Sequence, residues 1–393
     1  MKDWETDIRL ELEKLAEQKL QRHLRTSRQS KGAKIEHEGK LLLNLASNDY
    51  LGLAGDERLL EAQVKAAERY GAGAGASRLV TGSHPLYEAT EQALIAWKGT
   101  EGALICGSGY TANIGVLSSL LSRHDVVFSD RLNHASIIDG ILLSRAEHKR
   151  YRHNDMGHLE KLLQKTPEGK RKLIVTDSVF SMDGDTANLD ELVRLKEKYG
   201  ALLVVDEAHA GGVFGPEGKG LCAALGVDEA VDIQIGTFSK AFGSYGAYIT
   251  GKRWLIDFLV NRMRSLIYTT ALPPAVLGSA MESLQIIRDE DWRREKLQRN
   301  ADYLRRKLIE AGFHTYESMT QIIPVRIGEN EQAIQFSKEL QEAGISAIAI
   351  RPPTVPKGEA RIRFAVSALH EEEDLAGAAV TIADLAEKLH TIQ

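Results

Sequence analysis

The stretch KLIVTDSVFSMDGD, residues 172–185, followed after a helical interval by ALLVVDEAHAGG, residues 201–212, decides the fold class. Each piece opens with a short apolar run that reads as a buried strand. Each then breaks abruptly into carboxylate, hydroxyl, imidazole and glycine. Working outward from about residue 55 to 250, GALICGS (102–108), DVVFSD (125–130), HKRYRHN (148–154), DIQIGTF (232–238) and YGAYITG (245–251) repeat the pattern, with helical stretches between them. The alternation predicts an α/β domain built on a mostly parallel sheet. In open sheets of this kind, ligands gather outside the carboxyl ends of the strands.

Before this region, Ile8, Leu12, Leu15, Ala16 and Leu20 recur near helical spacing among charged residues, predicting an amphipathic helix from residue 3 to about 25 that packs on the body. KIEHEGKLLLNL (34–45) predicts a hairpin turning at Gly39, and SNDYLGL (47–53) leaves it as a loop. Beyond TTALPP (269–274), a charged helical region at about 280–312 leads into TQIIPVRIG (320–328), a helix near 331–344, SAIAIRPPTVP (346–356), ARIRFAVSA (360–368) and a final helix. A chain of 393 residues exceeds what one core organises. The expected division is an N-terminal segment, 1–45, a large α/β domain, 46–280, and a smaller α+β domain, 281–393.

A net charge of −5 gives no electrostatic reason to bind nucleic acid or an anionic membrane, so an acidic substrate needs local arginines. Cys106 and Cys222 are the only cysteines and have no CxxC or histidine-rich neighbourhood, which predicts neither a disulfide framework nor a metal site. No apolar run reaches 18 residues, and the charged N-terminus lacks a signal core, so a cytosolic protein is expected.

Five strand ends carry the chemistry. CGSGYTAN (106–113) places Gly107, Ser108, Gly109 and Tyr110 between a strand and a helix, either as a tight turn or as a phosphate cradle of backbone N–H groups. SDRLNHAS (129–136) presents His134, and the 172–185 stretch presents Ser181. In VVDEAHAGG (204–212), Asp206 and His209 admit a helix cap, a structural histidine or the DEAH box of an ATPase. That ATPase requires an upstream G-x-x-x-x-G-K-[ST] loop that the chain lacks. A buried aspartate facing a protonated ring nitrogen keeps an aromatic cofactor electron-withdrawing. Lys240, in GTFSKAFGS (236–244) with Thr237, is then a partly desolvated amine able to become nucleophilic.

In this order, the glycine cradle, His134, Ser181, Asp206, His209, Thr237 and Lys240 resemble the pyridoxal phosphate enzymes of the aspartate-aminotransferase fold, fold type I. Within them SNDYLGL, FSMDGD, DEAHAGGVFG, TFSKAFG and RPPTVP are similar to the α-oxoamine synthase family over nearly the whole chain.

The resemblance implies that Lys240 bears the cofactor and moves protons at the substrate Cα, while Asp206 pairs with the ring nitrogen. It implies that His209 and Ser181 reach the ring hydroxyl oxygen, that His134 lies on the ring, and that Thr237, Gly109 and Tyr110 position the phosphate. Arg351 is the implied carboxylate clamp, Asn48 and Arg22 fall at substrate positions together with His134, and Thr354 falls where the acyl substrate is contacted. A hydroxyl of a neighbouring subunit, Thr269 or Thr270, implies a homodimer with shared active sites. The implied reaction condenses L-alanine with pimeloyl-CoA, or a pimeloyl-carrier thioester, with loss of carbon dioxide, as in the biotin-pathway branch. Glycine with acetyl-CoA is the alternative pair, and a noncatalytic subunit of the same fold is a reading from another class.

Overall fold

The computed structural model describes residues 3–30 and 32–389. The chain divides into two compact units, one comprising Asn48–Ser181 and Asp185–Glu295, the other the residues up to Ser47, Met182–Gly184 and the residues from Lys296 onward.

The first-named unit is built on a seven-stranded sheet. Its strands are β1 (Gly102–Cys106), β2 (Val126–Asp130), β3 (Glu147–Tyr151), β4 (Lys172–Asp177), β5 (Ala201–Asp206), β6 (Ile233–Thr237) and β7 (Ala247–Gly251). They lie in the order β1-β7-β6-β5-β4-β2-β3, and only β7 runs against its neighbours. Every residue of β1, β2, β6 and β7 is buried, because helices cover both faces; this explains strands that are apolar runs rather than alternating patterns. Helices α1 (Gly109–Leu120) and α2 (Ala135–Ser144) cover one face, where Val116, Leu117, Ile137 and Ile141 join Leu104, Val127, Val175, Val204 and Ile235 in one core cluster.

Two glycines tie the β6–β7 connection down. A Cβ on Gly236 would collide with the Tyr248 ring on the adjacent strand. Gly243 has φ +60, and a Cβ there would strike the backbone of Leu53 and Ala54, so the turn after Lys240 packs directly on that segment.

Behind β5, Glu207 and Lys98 form an ion pair at 2.7 Å with both side chains 1% exposed. Glu207 also accepts from the Cys222 N–H at 2.9 Å, and Lys98 donates to the Lys219 carbonyl. Both cysteines are buried and unbridged.

In the other unit, strand 34–37 pairs antiparallel with 40–44 across a turn where Glu38 and Gly39 have φ 49 and 76, and Ile345–Ser346 adds in parallel. Strands Ile322–Gly328, Ala360–Ala365 and Ile348–Ile350 form a second, antiparallel sheet, and helices Asn330–Glu342 and Glu372–Lys388 belong to the same unit. Arg361, on the central strand, pairs with Asp183 at 2.7 Å.

Three expectations are corrected. The N-terminal helix covers Trp4–Glu17 only and buries none of its residues. It ends because Lys19 takes φ 56 and Leu20 N turns back to the Leu15 carbonyl at 2.7 Å, which places Arg22 beyond the helix. Within the chain its apolar face is open, with Ile8 54% and Leu12 50% exposed. The helical region expected at about 280–312 is two helices, Pro274–Asp289 and Asp291–Glu310. Among the described residues no helix is long and apolar enough to cross a membrane, and no cluster of His, Cys, Asp and Glu could hold a metal ion.

Replacing Lys98 with Met strands Glu207 as a buried charge and is expected to cost about 3–5 kcal/mol in denaturant unfolding, whereas K98M with E207Q recovers most of it. Equal losses in the single and double variants would show that the pair does not couple.

Candidate functional site

The carboxyl ends of β2, β4, β5 and β6 and the start of α1 surround one cavity of about 210 Å³. Gly109, Tyr110, His134, Ser181, Asp206, His209, Thr237 and Lys240 all line it, together with Ser108, Asn113, Ser136, Asp177, Ala208 and Ser239. Residues from Ser108 to Lys240 meet there because parallel strands bring their carboxyl ends to one edge.

At the mouth of α1, Ser108 is the N-cap. Its hydroxyl accepts from Thr111 N at 3.2 Å, while Thr111 Oγ1 accepts from Ser108 N at 3.0 Å. The amides of Gly109 and Tyr110, in the first turn, then have no intrahelical carbonyl to meet and sit at the positive end of the helix. Thr237 on β6 is held by its own hydroxyl, which donates to the Gly246 carbonyl at 2.9 Å and accepts from Ser239 N at 3.2 Å.

Asp206 ends β5 and is 4% exposed. Its Oδ2 accepts from Asn113 Nδ2 at 2.6 Å and its Oδ1 from Ala208 N at 2.8 Å. Asn113 Nδ2 also donates to Ser136 Oγ at 3.0 Å, and Ser136 Oγ lies 2.7 Å from His134 Nδ1. His134 caps α2, and its own N–H donates to Asp177 Oδ2 at 2.7 Å. Desolvation holds the His134 imidazole below its ordinary proton affinity, opposed by Asp206 and aided by Lys240. Burial, reinforced by the neighbouring Asp206, pushes the Asp177 carboxyl well above the usual range.

Lys240 Nζ lies 2.8 Å from His209 Nε2, and His209 Nδ1 lies 2.7 Å from the fully buried Tyr50 hydroxyl. Tyr50 OH donates to Asn48 Oδ1 at 3.1 Å. One proton arrangement satisfies the chain of contacts: His209 donates from Nδ1 to the tyrosine oxygen and turns its Nε2 lone pair to the lysine amine. Asn48 thus joins the site through Tyr50. Arg22, Arg351 and Thr354 belong to the other unit, where the Arg351 guanidinium donates to the Lys19 and Gln21 carbonyls.

Sequence reasoning missed Asn113, Ser136, Asp177 and Tyr50. Tyr50 lay inside the quoted SNDYLGL motif and Asp177 at the end of a quoted strand, so position alone marked both. Asn113 and Ser136 likewise closed the quoted CGSGYTAN and SDRLNHAS stretches, but neither residue type by itself points to a role there.

The residues fit pyridoxal phosphate on two observations. A Cβ on Gly107 or Gly109 would meet nothing closer than 3.8 Å, so neither packing nor backbone requires glycine there, and the space serves an approaching group. Asn113 Oδ1 is buried at the cavity with no hydrogen-bond partner among the described residues. An anion at the helix end, a cationic ring nitrogen at Asp206 and an aldehyde carbon at Lys240 complement what the cavity offers. Asn113→Ala frees the Asp206 carboxylate and is expected to weaken pyridoxal phosphate binding about tenfold, read by absorption titration of the cofactor-free chain; unchanged affinity removes Asn113 from the site.

The aminotransferase class I and II family matches residues 40–382. A Bacillus cereus (strain G9842) protein with the provisional name 8-amino-7-oxononanoate synthase is 57% identical over 373 residues, 95% of this chain and 94% of its own. A Bacillus thuringiensis subsp. konkukian protein with the same name is 55% identical over 98% of both chains. Serine palmitoyltransferase from S. paucimobilis, solved with PLP and myriocin bound, is similar with a TM-score of 0.95 at 31% identity over 100% of both chains. The 8-amino-7-oxononanoate synthase of Francisella tularensis matches with a TM-score of 0.78 at 28% identity, over 89% of this chain and 99% of that one. The chain therefore belongs to the aminotransferase class I and II family, has the pyridoxal phosphate-dependent fold type I, and falls among its α-oxoamine synthases.

Proposed function

We propose that the protein condenses L-alanine with pimeloyl-CoA, or a pimeloyl-carrier thioester, to give 8-amino-7-oxononanoate, the free thiol and carbon dioxide, a step of biotin biosynthesis. The observation that carries the reaction class is the gathering of Lys240, Asp206 and His209 around one buried cavity. The choice of substrates is supported by relatives of that name at 55–57% identity over nearly the full chain.

Bound in the cavity, pyridoxal phosphate supplies the electron sink that makes a carbanion at the alanine Cα accessible. In this reading Lys240 would hold the cofactor, and its amine would take and return the proton at Cα. His209, through the Nε2 that faces Lys240 here, would hydrogen-bond the ring hydroxyl group together with Ser181 once the lysine is engaged with the cofactor. Asp206, fixed by Asn113 and Ala208, pairs with the ring nitrogen. His134 would pack on the ring, its imidazole held below its ordinary proton affinity by burial. The Gly109 and Tyr110 amides and Thr237 bind the phosphate. Arg351 clamps the alanine carboxylate bidentately, assisted by Asn48 and Arg22, and Thr354 contacts the acyl substrate. A carbon–carbon bond forms from Cα to the thioester carbonyl as the carbon–sulfur bond breaks. The carboxylate then leaves as carbon dioxide, and a proton returns to Cα.

A homodimer completes the reading, with Thr269 or Thr270 of one copy serving the phosphate of the other; the open apolar face of the N-terminal helix supports it. We place the enzyme in the cytosol, where its two buried cysteines stay thiols.

Supplying purified protein with each amino acid and thioester in turn tests the substrates. Thiol and carbon dioxide are expected together only from L-alanine with pimeloyl-CoA, and thiol alone from glycine with acetyl-CoA would move the protein to the other branch. Lys240→Ala is expected to lower turnover by about 10³-fold or more with far-UV circular dichroism unchanged, and near-normal rates would end the assignment. Arg351→Ala is expected to raise the KM for alanine about 10- to 100-fold with a smaller effect on kcat, and an unchanged KM would remove the clamp.

A further inference from the structure

One partly buried charged cluster has no part in the chemistry above. His153, just beyond β3, places Nδ1 3.0 Å from Asp130 Oδ1 and Nε2 2.7 Å from Asp185 Oδ2. Asp130 ends β2, four residues before His134; its Oδ1 also accepts from Leu132 N at 2.8 Å and its Oδ2 from Asn154 N at 2.9 Å. Asp185 closes the loop that carries Ser181, since its carbonyl accepts from Phe180 N at 3.0 Å and its Oδ2 from Asn154 Nδ2 at 3.2 Å. The Phe180 ring meets the imidazole edge-on, with centroids 4.5 Å apart.

A neutral imidazole has one N–H and can donate to only one of two carboxylates, whereas the imidazolium donates to both. Desolvation works against the charge on His153, but the hydrogen bonds to Asp130 and Asp185 outweigh it, and its pKa is raised to about 9. The remaining titratable groups nearby do not replace these partners. Arg152 and Asp155, on the same loop, bond to each other at 2.8 Å. The Tyr151 phenol is pushed up by desolvation and by Asp130. Asp177 is pushed up by burial and by Asp206.

We propose that His153 is a positioning residue, an imidazolium that ties the loop bearing His134 to the loop bearing Ser181 and thereby fixes two walls of the cofactor cavity. The inference rests on reading that cavity as the pyridoxal phosphate site. Because the folded-state value lies above the unfolded value near 6.5, the tie is fully present below about pH 6.5 and is lost as the pH rises through about 9.

Two measurements on the full-length chain decide it. In histidine-labelled, cofactor-free protein, the ring signals that vanish in His153→Gln, or in His153→Asn should the first variant not fold, are expected to titrate near pH 9; a midpoint at or below the ordinary value of 6.5 overturns the proposal. Pyridoxal phosphate titrations of wild type and H153Q are expected to differ about tenfold in dissociation constant near pH 7, with the ratio falling toward one near pH 10, because Lys240 and cofactor ionisations are common to both proteins and cancel. A ratio that stays constant with pH marks a merely structural histidine, and a ratio of one throughout removes the tie; either overturns the proposal. Failure of the wild type itself to bind the cofactor would fall on the reading of the cavity instead, leaving the ring titration to judge the cluster.

Discussion

Two consecutive buried carboxylates at the end of β5, Asp206 and Glu207, impose the constraint around which this molecule is arranged. Backbone alternation sends them to opposite sides, and the chain answers them differently. Glu207 receives a full counter-charge from Lys98. Asp206 is met by two neutral donors, the Asn113 amide and the Ala208 N–H. A buried carboxylate held by neutral donors is complementary to a cationic group entering the cavity.

The polar groups around this imbalance are held by two relays that share no atom. One runs from Asp206 through Asn113 and Ser136 to His134 and on to Asp177. The other runs from Lys240 through His209 and Tyr50 to Asn48. All five residues of the first relay line the cavity, whereas in the second Lys240 and His209 line it and Tyr50 and Asn48 stand behind them; both relays limit rotamer freedom before any ligand arrives. The lysine relay links positions 159 residues apart through the His209–Tyr50 contact, so the loop at 47–53 is as much part of the lysine's environment as the glycines beside it.

Much of this was legible in the sequence because the fold announces its strand ends. A buried parallel strand is an apolar run, and the first carboxylate, imidazole or hydroxyl that interrupts it marks the edge where ligands bind; Asp206, His134 and Thr237 were found in this way. Residues whose role is created by distant contacts were not legible. Lys98 looks like any lysine near a helix end until Glu207, 109 positions later, folds against it. Asn113 and His153 have no local signature either. The N-terminal helix was read too long because its stop is a left-handed lysine, a residue type that does not advertise that conformation, and was read as packed because hydrophobic spacing reports an apolar face without naming what covers it.

Gly109 shows what the cavity demands of the chain over longer times. It sits in the first turn of a helix, where alanine is the better former by roughly 0.5–1 kcal/mol, and the surrounding atoms leave room for the extra methyl. Selection for a sturdier protein would therefore favour filling this position, while selection for a cofactor that must approach the backbone would keep it bare. Stability and activity pull in opposite directions on a single hydrogen-for-methyl exchange, so the glycine at the helix mouth is a standing concession of the scaffold to its chemistry.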